Sequence, residues 1–174
     1  MTKGLCRMRA VHENLYKGLE EDSLLQLISV REYMKNPVDR LVTSIQTMVS
    51  SAIPKMFSTH PPSDEADLNL KISALFDTHR LDLTREHPAV SFAGAHAVPD
   101  HGSEKHDVVV EAKYIRRHTT PSKASEGMAA DLTKYPGGVH ILFLVFDPEH
   151  AIQDDQRFKS DFESRGRCTV SILR

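Results

Sequence analysis

Val38, Leu41, Val42, Ile45, Met48, Val49 and Ile53 recur every three or four residues, the spacing of one apolar helical face. Asn36-Pro37 supplies a cap and a first turn for that helix, and Pro54 is expected to bound it. A preceding helix is expected over Leu24, Leu25, Leu27, Ile28, Tyr33 and Met34, capped by Asp22 or Ser23. Both faces read as core or helix-pair packing rather than as a cofactor box. Pro61-Pro62 marks a loop over 58–64, so residues 1–60 are expected to form a helical extension and 61–174 a separate domain.

Beyond residue 63 the periods shorten. Ser63 is expected to cap a short helix with Leu68, Ile72, Leu75 and Phe76 inward. Arg80 to Arg85 alternates as a strand does, and Pro88 to Ala93 is a second short strand candidate. Asp107 to Lys113 reads as a strand through its three successive valines. Asp100 to Ser103 would precede it as an antiparallel partner, with Glu104-Lys105-His106-Asp107 as a four-residue turn. Thr120-Pro121 opens a helix with Ala124, Met128, Leu132 and Tyr135 on one face, and Pro136-Gly137-Gly138 stops it. Val139 to Phe146 is almost continuously apolar, as suits a strand covered on both faces. A charged helix near Asp154 to Glu163 and a last strand over Cys168 to Leu173 complete an α/β domain.

The turn length carries chemistry. If Ser103 faces Val108, then Asp100 faces Glu111. Directly opposed residues share a face, with Cβ atoms roughly 4.5–5.5 Å apart. Two carboxylates that close repel each other, and a divalent cation between them relieves the repulsion. Lys113, two residues past Glu111, reaches the same point from the same face. These charges directly follow a buried-type valine run, where a charge costs several kcal/mol unless paired or metal-bound.

Composition narrows the setting. The chain has 174 residues, 40% of them hydrophobic, enough for one cored domain with an extension. No 18-residue apolar stretch is present to span a membrane, and Met1 to Ala10 lacks the apolar segment of a signal peptide. Cys6 and Cys168 lie far apart, as suits a reducing, cytoplasmic setting. A net charge of −2 gives no global attraction to nucleic acid, so any such contact needs a local basic patch or a second chain. Arg116, Arg117 and Lys123, with Tyr114 and His118, follow the acid site and could grip phosphates; a solvated loop is the equal alternative. His96, His101, His106 and His118 do not have the spacing of a tight structural zinc site. No Gly-x-Ser-x-Gly element and no phosphate-binding glycine loop occurs.

Pro99-Asp100 and Glu111-Ala112-Lys113 on consecutive strands resemble the PD-(D/E)xK nuclease signature. Glu86-His87-Pro88, Phe92-Ala93-Gly94, Asp100, Val108 to Lys113, Asp131-Leu132-Thr133-Lys134-Tyr135 and Val145-Phe146-Asp147-Pro148-Glu149 resemble, in order and spacing, the C-terminal domain of DpnII/MboI-type restriction endonucleases. The resemblance covers about residues 68–174, and His101 stands where an apolar residue commonly follows the Asp. It implies a restriction-endonuclease-like core, a central mixed sheet flanked by helices, behind an N-terminal helical extension. It further implies an Mg²⁺-dependent endonuclease acting on DNA, in a restriction or anti-phage defence system. Asp100, Glu111 and the Ala112 carbonyl would then hold Mg²⁺ (or Mn²⁺) through oxygen, with waters completing the shell. Lys113 would orient or deprotonate the attacking water, or stabilise the transition state. A nearby cation lowers its pKa and the two acids raise it, so both protonation states stay open. Glu86 is either a further acidic ligand or an exposed turn residue. The competing function is a nuclease-like module that binds nucleic acid or assembles without cutting. In either case the N-terminal helices are the expected surface for a second copy or a partner protein.

Overall fold

The computed structural model describes residues 36–86, 90–92 and 95–174, with the backbone alone at 90–92 and 95–97. The helix expected over 24–34, Cys6 and the His96 ring lie outside what it describes. The chain divides into two compact units, Met1–Arg40 and Leu41–Arg174. Helix α1 (Pro37–Met56) opens with Asn36, whose Oδ1 accepts the Val38 N–H at 3.1 Å. Val42, Ile45, Val49 and Ile53 are buried, as the period requires. The helix does not stop at Pro54 but runs two residues further. Proline removes only its own N–H bond to the carbonyl four residues back, and Ser50 there is exposed to water.

Helix α2 (Glu65–Thr78) is capped by Asp64 rather than by Ser63. Asp64 Oδ1 accepts the Asp67 N–H at 2.8 Å, and Asp67 Oδ2 reaches back to the Ser63 N–H at 3.0 Å. With Asp64 as the cap, Glu65 is the first residue of the helix, and Asp67 also ties down the Ser63 N–H just before it. Leu68, Ile72 and Phe76 point inward.

The strand expected over 80–85 shrinks to β1 (Thr84–Arg85). The Arg80 and Leu81 N–H groups are still tied to Asp77 and Phe76 at the end of α2, and Arg80 sits at φ 51°. A hairpin of β2 (Val90–Phe92) and β3 (Ala95–Ala97) forms a separate two-stranded sheet. The main sheet adds β4 (His101–Ser103), β5 (Val108–Tyr114), β6 (His140–Phe146) and β7 (Cys168–Leu173), in the order β1-β4-β5-β6-β7. The first two pairings are antiparallel and the last two parallel, so the sheet is mixed. Helix α3 (Pro121–Lys134) links β5 to β6, and α4 (Asp155–Glu163) links β6 to β7. Thr120 and Asp154 cap them, accepting from the N–H of Lys123 and Arg157.

Val109 on β5, with Ile141, Phe143 and Val145 on β6, meets Ala124, Met128 and Leu132 of α3 and Phe162 of α4. The other face of β5 meets α2. There His101, paired with Val110, packs edge-on against Phe76, ring centroids 5.0 Å apart. His101 is 1% exposed, and neither ring nitrogen has a hydrogen-bond partner among the described residues. It fills the apolar position that its place after Asp100 calls for. Burial pushes the ring down from 6.5 to about 4, against the pull of Asp100. Its neutral form therefore stabilises the fold fully above pH 6.5, and that contribution is lost as pH falls toward 4. By pH 5 the loss should reach about 2 kcal/mol. Urea denaturation of wild type and His101→Leu at pH 7 and pH 5 should show the variant gaining by that amount on acidification. Equal pH slopes would contradict this reading.

Candidate active site

The site is built where β5 outruns β4. The register His101↔Val110, Gly102↔Val109, Ser103↔Val108 closes on the four-residue turn Glu104–Asp107, as the sequence implies. Asp107 turns the chain at φ 49°, a conformation that a short polar side chain tolerates. One step beyond His101↔Val110 the chain brings Asp100 across from Glu111.

Backbone accounting explains the rest. The Asp107 carbonyl and the Ile115 N–H both bond to β6, so alternate residues of β5 (Val109, Glu111, Lys113) turn their peptide groups toward β6. The even residues face β4. Past Val110 there is no β4 to meet them, and a buried unpaired N–H is costly. Asp100 Oδ2 takes the Ala112 N–H at 2.9 Å. Glu65 Oε2, from the first turn of α2, takes the Tyr114 N–H at 3.2 Å. The Ala112 carbonyl turns to the same side as its N–H, toward Asp100.

The side chains of Glu111 and Lys113 point the other way out of the pleat, toward α3. Glu111 is 6% exposed. Its Oε1 accepts the Tyr135 hydroxyl, and its Oε2 lies 3.5 Å from Lys113 Nζ. Lys113 Nζ is closer to Asp131 Oδ2, at 2.9 Å, and Asp131 Oδ1 meets Lys134 Nζ at 2.6 Å. Burial and then Asp100 push Glu111 up to about 7, although Lys113 and Tyr135 pull it down. Burial pulls Lys113 down, but Asp131, Glu111 and Glu65 together outweigh it and leave its pKa above the ordinary lysine value. These neighbours favour the ammonium form of Lys113, and a cation held beside it would pull the other way. Burial raises Glu65 as well, and burial with Glu111 raises the Tyr135 phenol, which stays a donor.

Of the expected site residues, Asp100, Glu111, Ala112 and Lys113 come together. The Glu86 backbone belongs to the same corner, its N–H bonded to the Asp100 carbonyl at 2.9 Å. Its carboxylate does not: it is exposed and lies 3.8 Å from Arg85. Arg116 lies over the Tyr114 ring, 5.4 Å from its centroid, and its guanidinium donates to the Ser63 carbonyl. Arg117 and Lys123 are exposed. Lys123 Nζ is 3.5 Å from the His118 carbonyl.

Glu65, Asp131 and Tyr135 are site residues that sequence reasoning missed as such. Asp131 had a signal. It falls three residues after Met128 and four before Tyr135, on the apolar stripe of α3, where an acid has no place unless it is paired.

Among the described residues, no group of three or more His, Cys, Asp or Glu side chains is gathered to hold a metal ion unaided. The donors at hand are two carboxylates and a backbone carbonyl, all hard oxygen. Glu111 is pushed up by its own burial and by Asp100, the strain that a divalent cation would relieve. The donor set thus fits Mg²⁺ or Mn²⁺ completed by water and substrate oxygens.

Glu111→Gln should show how much this strain costs. A folded pKa near 7 above an unfolded value of 4.5 means the charged group destabilises at pH 8 and the penalty fades as pH falls through 7. In chelator, the variant should be more stable than wild type by about 3 kcal/mol at pH 8, and by less at pH 5.5. A variant less stable than wild type at pH 8 would refute the assignment.

A family model described as REase_DpnII-MboI matches residues 34–174. The match takes in α1 and α2 as well as the sheet and the helices that follow it. No curated protein and no solved structure matches the chain.

Proposed function

This chain belongs to the DpnII-MboI restriction endonuclease family, and on that premise we propose that it is a divalent-metal-dependent endonuclease hydrolysing phosphodiester bonds of DNA in restriction or defence against foreign DNA. The observation that carries the reading is the convergence of Asp100 and Glu111 across the end of β4 and β5, with the Lys113 ammonium beside them.

Asp100, Glu111 and the Ala112 carbonyl would hold Mg²⁺ or Mn²⁺. When bound, such an ion supplies an acidified water and charge stabilisation at the phosphate. The chain's own groups do the remaining work. Asp100 is fixed by the Ala112 N–H it accepts and by the Glu86 N–H on its carbonyl. Tyr135 holds one oxygen of Glu111. Lys113, charged and pointed at the same place, binds a phosphate oxygen and steadies the negative charge that grows there. As an ammonium it orients the attacking water, and where a bound cation lowers its pKa it can take the water's proton instead. Arg117 and Lys123, exposed beyond the end of β5, hold flanking phosphates by contacts that salt weakens. Arg116 is already engaged with Ser63 and Tyr114 and shapes the loop instead. No described helix is long and apolar enough to cross a membrane.

The test is to incubate the purified full chain with plasmid, single-stranded DNA and RNA in Mg²⁺, Mn²⁺ or chelator. DNA cleavage should require metal and fall by about a hundredfold or more in Glu111→Ala and in Lys113→Ala. Arg117→Ala and Lys123→Ala should each weaken DNA binding and reduce the slope against log salt by about one. Cleavage unchanged in both site variants identifies a contaminant. Metal-independent DNA binding without cleavage supports the non-cutting module instead.

A further inference from the structure

We propose that Asp131 is a positioning residue that draws the Lys113 ammonium off Glu111 and so keeps a Glu111 oxygen free for the cation, an inference that rests on the nuclease reading above. Lys113 and Glu111 are two residues apart on the same face of β5, in a buried setting where opposite charges attract strongly. Left to themselves they would close on one another, and the amine would occupy the oxygen that a metal needs. They meet only as a long ion pair: Nζ stands 3.5 Å from Glu111 Oε2 and is drawn closer, to 2.9 Å, by Asp131 Oδ2.

Asp131 is built to win that competition. Its side chain is 5% exposed, and its second oxygen is locked by Lys134 at 2.6 Å. It sits in the last turn of α3, and Tyr135, the residue that ends the helix, engages Glu111. One turn earlier, Gly127 leaves room for the lysine stem. A Cβ there would lie 3.8 Å from Lys113 Cε, in ordinary contact, and a longer side chain would press on it. Gly127 and Asp131 on α3, with Tyr135 just past its end, therefore hold the two opposite charges of β5 apart: Asp131 takes the amine and Tyr135 steadies the acid.

The inference is read by Mn²⁺ titration calorimetry on the full chain, alongside plasmid cleavage. In Asp131→Asn, Lys113 should fall back on Glu111, and the Mn²⁺ Kd should rise about tenfold. Asp131→Glu, which keeps the charge, should stay within about threefold of wild type. Asp131→Asn/Lys113→Met should recover wild-type affinity, since no amine is left to compete. Because the double variant restores the net local charge, it is compared with Lys113→Met, from which it differs only by the Asp131 charge; equal Mn²⁺ affinities separate the proposal from a general loss of negative charge. Unchanged Mn²⁺ affinity in Asp131→Asn overturns the inference, and so does a double variant as weak as the single. Should Asp131→Asn fold poorly, Lys113→Met against the double variant decides. Equal affinities are expected, and a further loss in the double overturns the proposal. The titration reads the inference even if DNA is left intact, which would sink only the nuclease reading.

Discussion

One strand being longer than its neighbour organises this site. β4 ends at His101, opposite Val110, while β5 continues to Tyr114. The overhang leaves the Ala112 and Tyr114 N–H groups facing a place where no strand remains, and each must find an acceptor. Asp100 and Glu65 provide it with carboxylates at 2.9 and 3.2 Å. Two acids from distant elements are thus brought together by the backbone's demand for acceptors, before any metal or substrate is considered. Pleating then sends Glu111 and Lys113 from the same overhang toward α3.

The cost of this arrangement is local and electrostatic. Asp100 stands close enough to Glu111 to add to the effect of burial, and the two together carry the Glu111 carboxyl to about 7. A core built for stability alone would not keep that pairing, and function is the usual reason for such a conflict. The surrounding groups limit the damage. Tyr135 donates to one Glu111 oxygen, and Asp131 with Lys134 takes up the charge of Lys113. Just past the C-terminal end of the neighbouring strand β6 no such tension exists. Asp147 is fully buried, yet it accepts the Ala151 and Ile152 N–H groups and pairs with Arg174. It is a satisfied structural acid.

The two strands that matter most were legible because antiparallel pairing has a period of two and a turn of fixed length sets its register. Counting four residues from Glu104 to Asp107 was enough to bring Asp100 to Glu111. The apolar run of β6 and the Thr120 cap of α3 were legible for similarly local reasons. What depends on tertiary placement was not. Glu65 joins the site from the first turn of α2, packed against β5, a placement that sequence pattern cannot give. The work of Asp131 and Tyr135 depends on how α3 is rotated over β5, which periodicity within α3 cannot give. His101 is polar in the sequence and an aromatic filler against Phe76 in the fold. Arg116 belongs by sequence to a basic cluster, but is tied to Ser63 and the Tyr114 ring.

The claim that Asp100 and Glu111 form a cation site is tested most directly by a crystal of the full chain soaked in Mn²⁺ and measured at the manganese absorption edge. Anomalous density between the two carboxylates, within bonding reach of the Ala112 carbonyl, is the expected result. Density elsewhere, or an ordered site with both carboxylates clear and no anomalous peak between them, would contradict it.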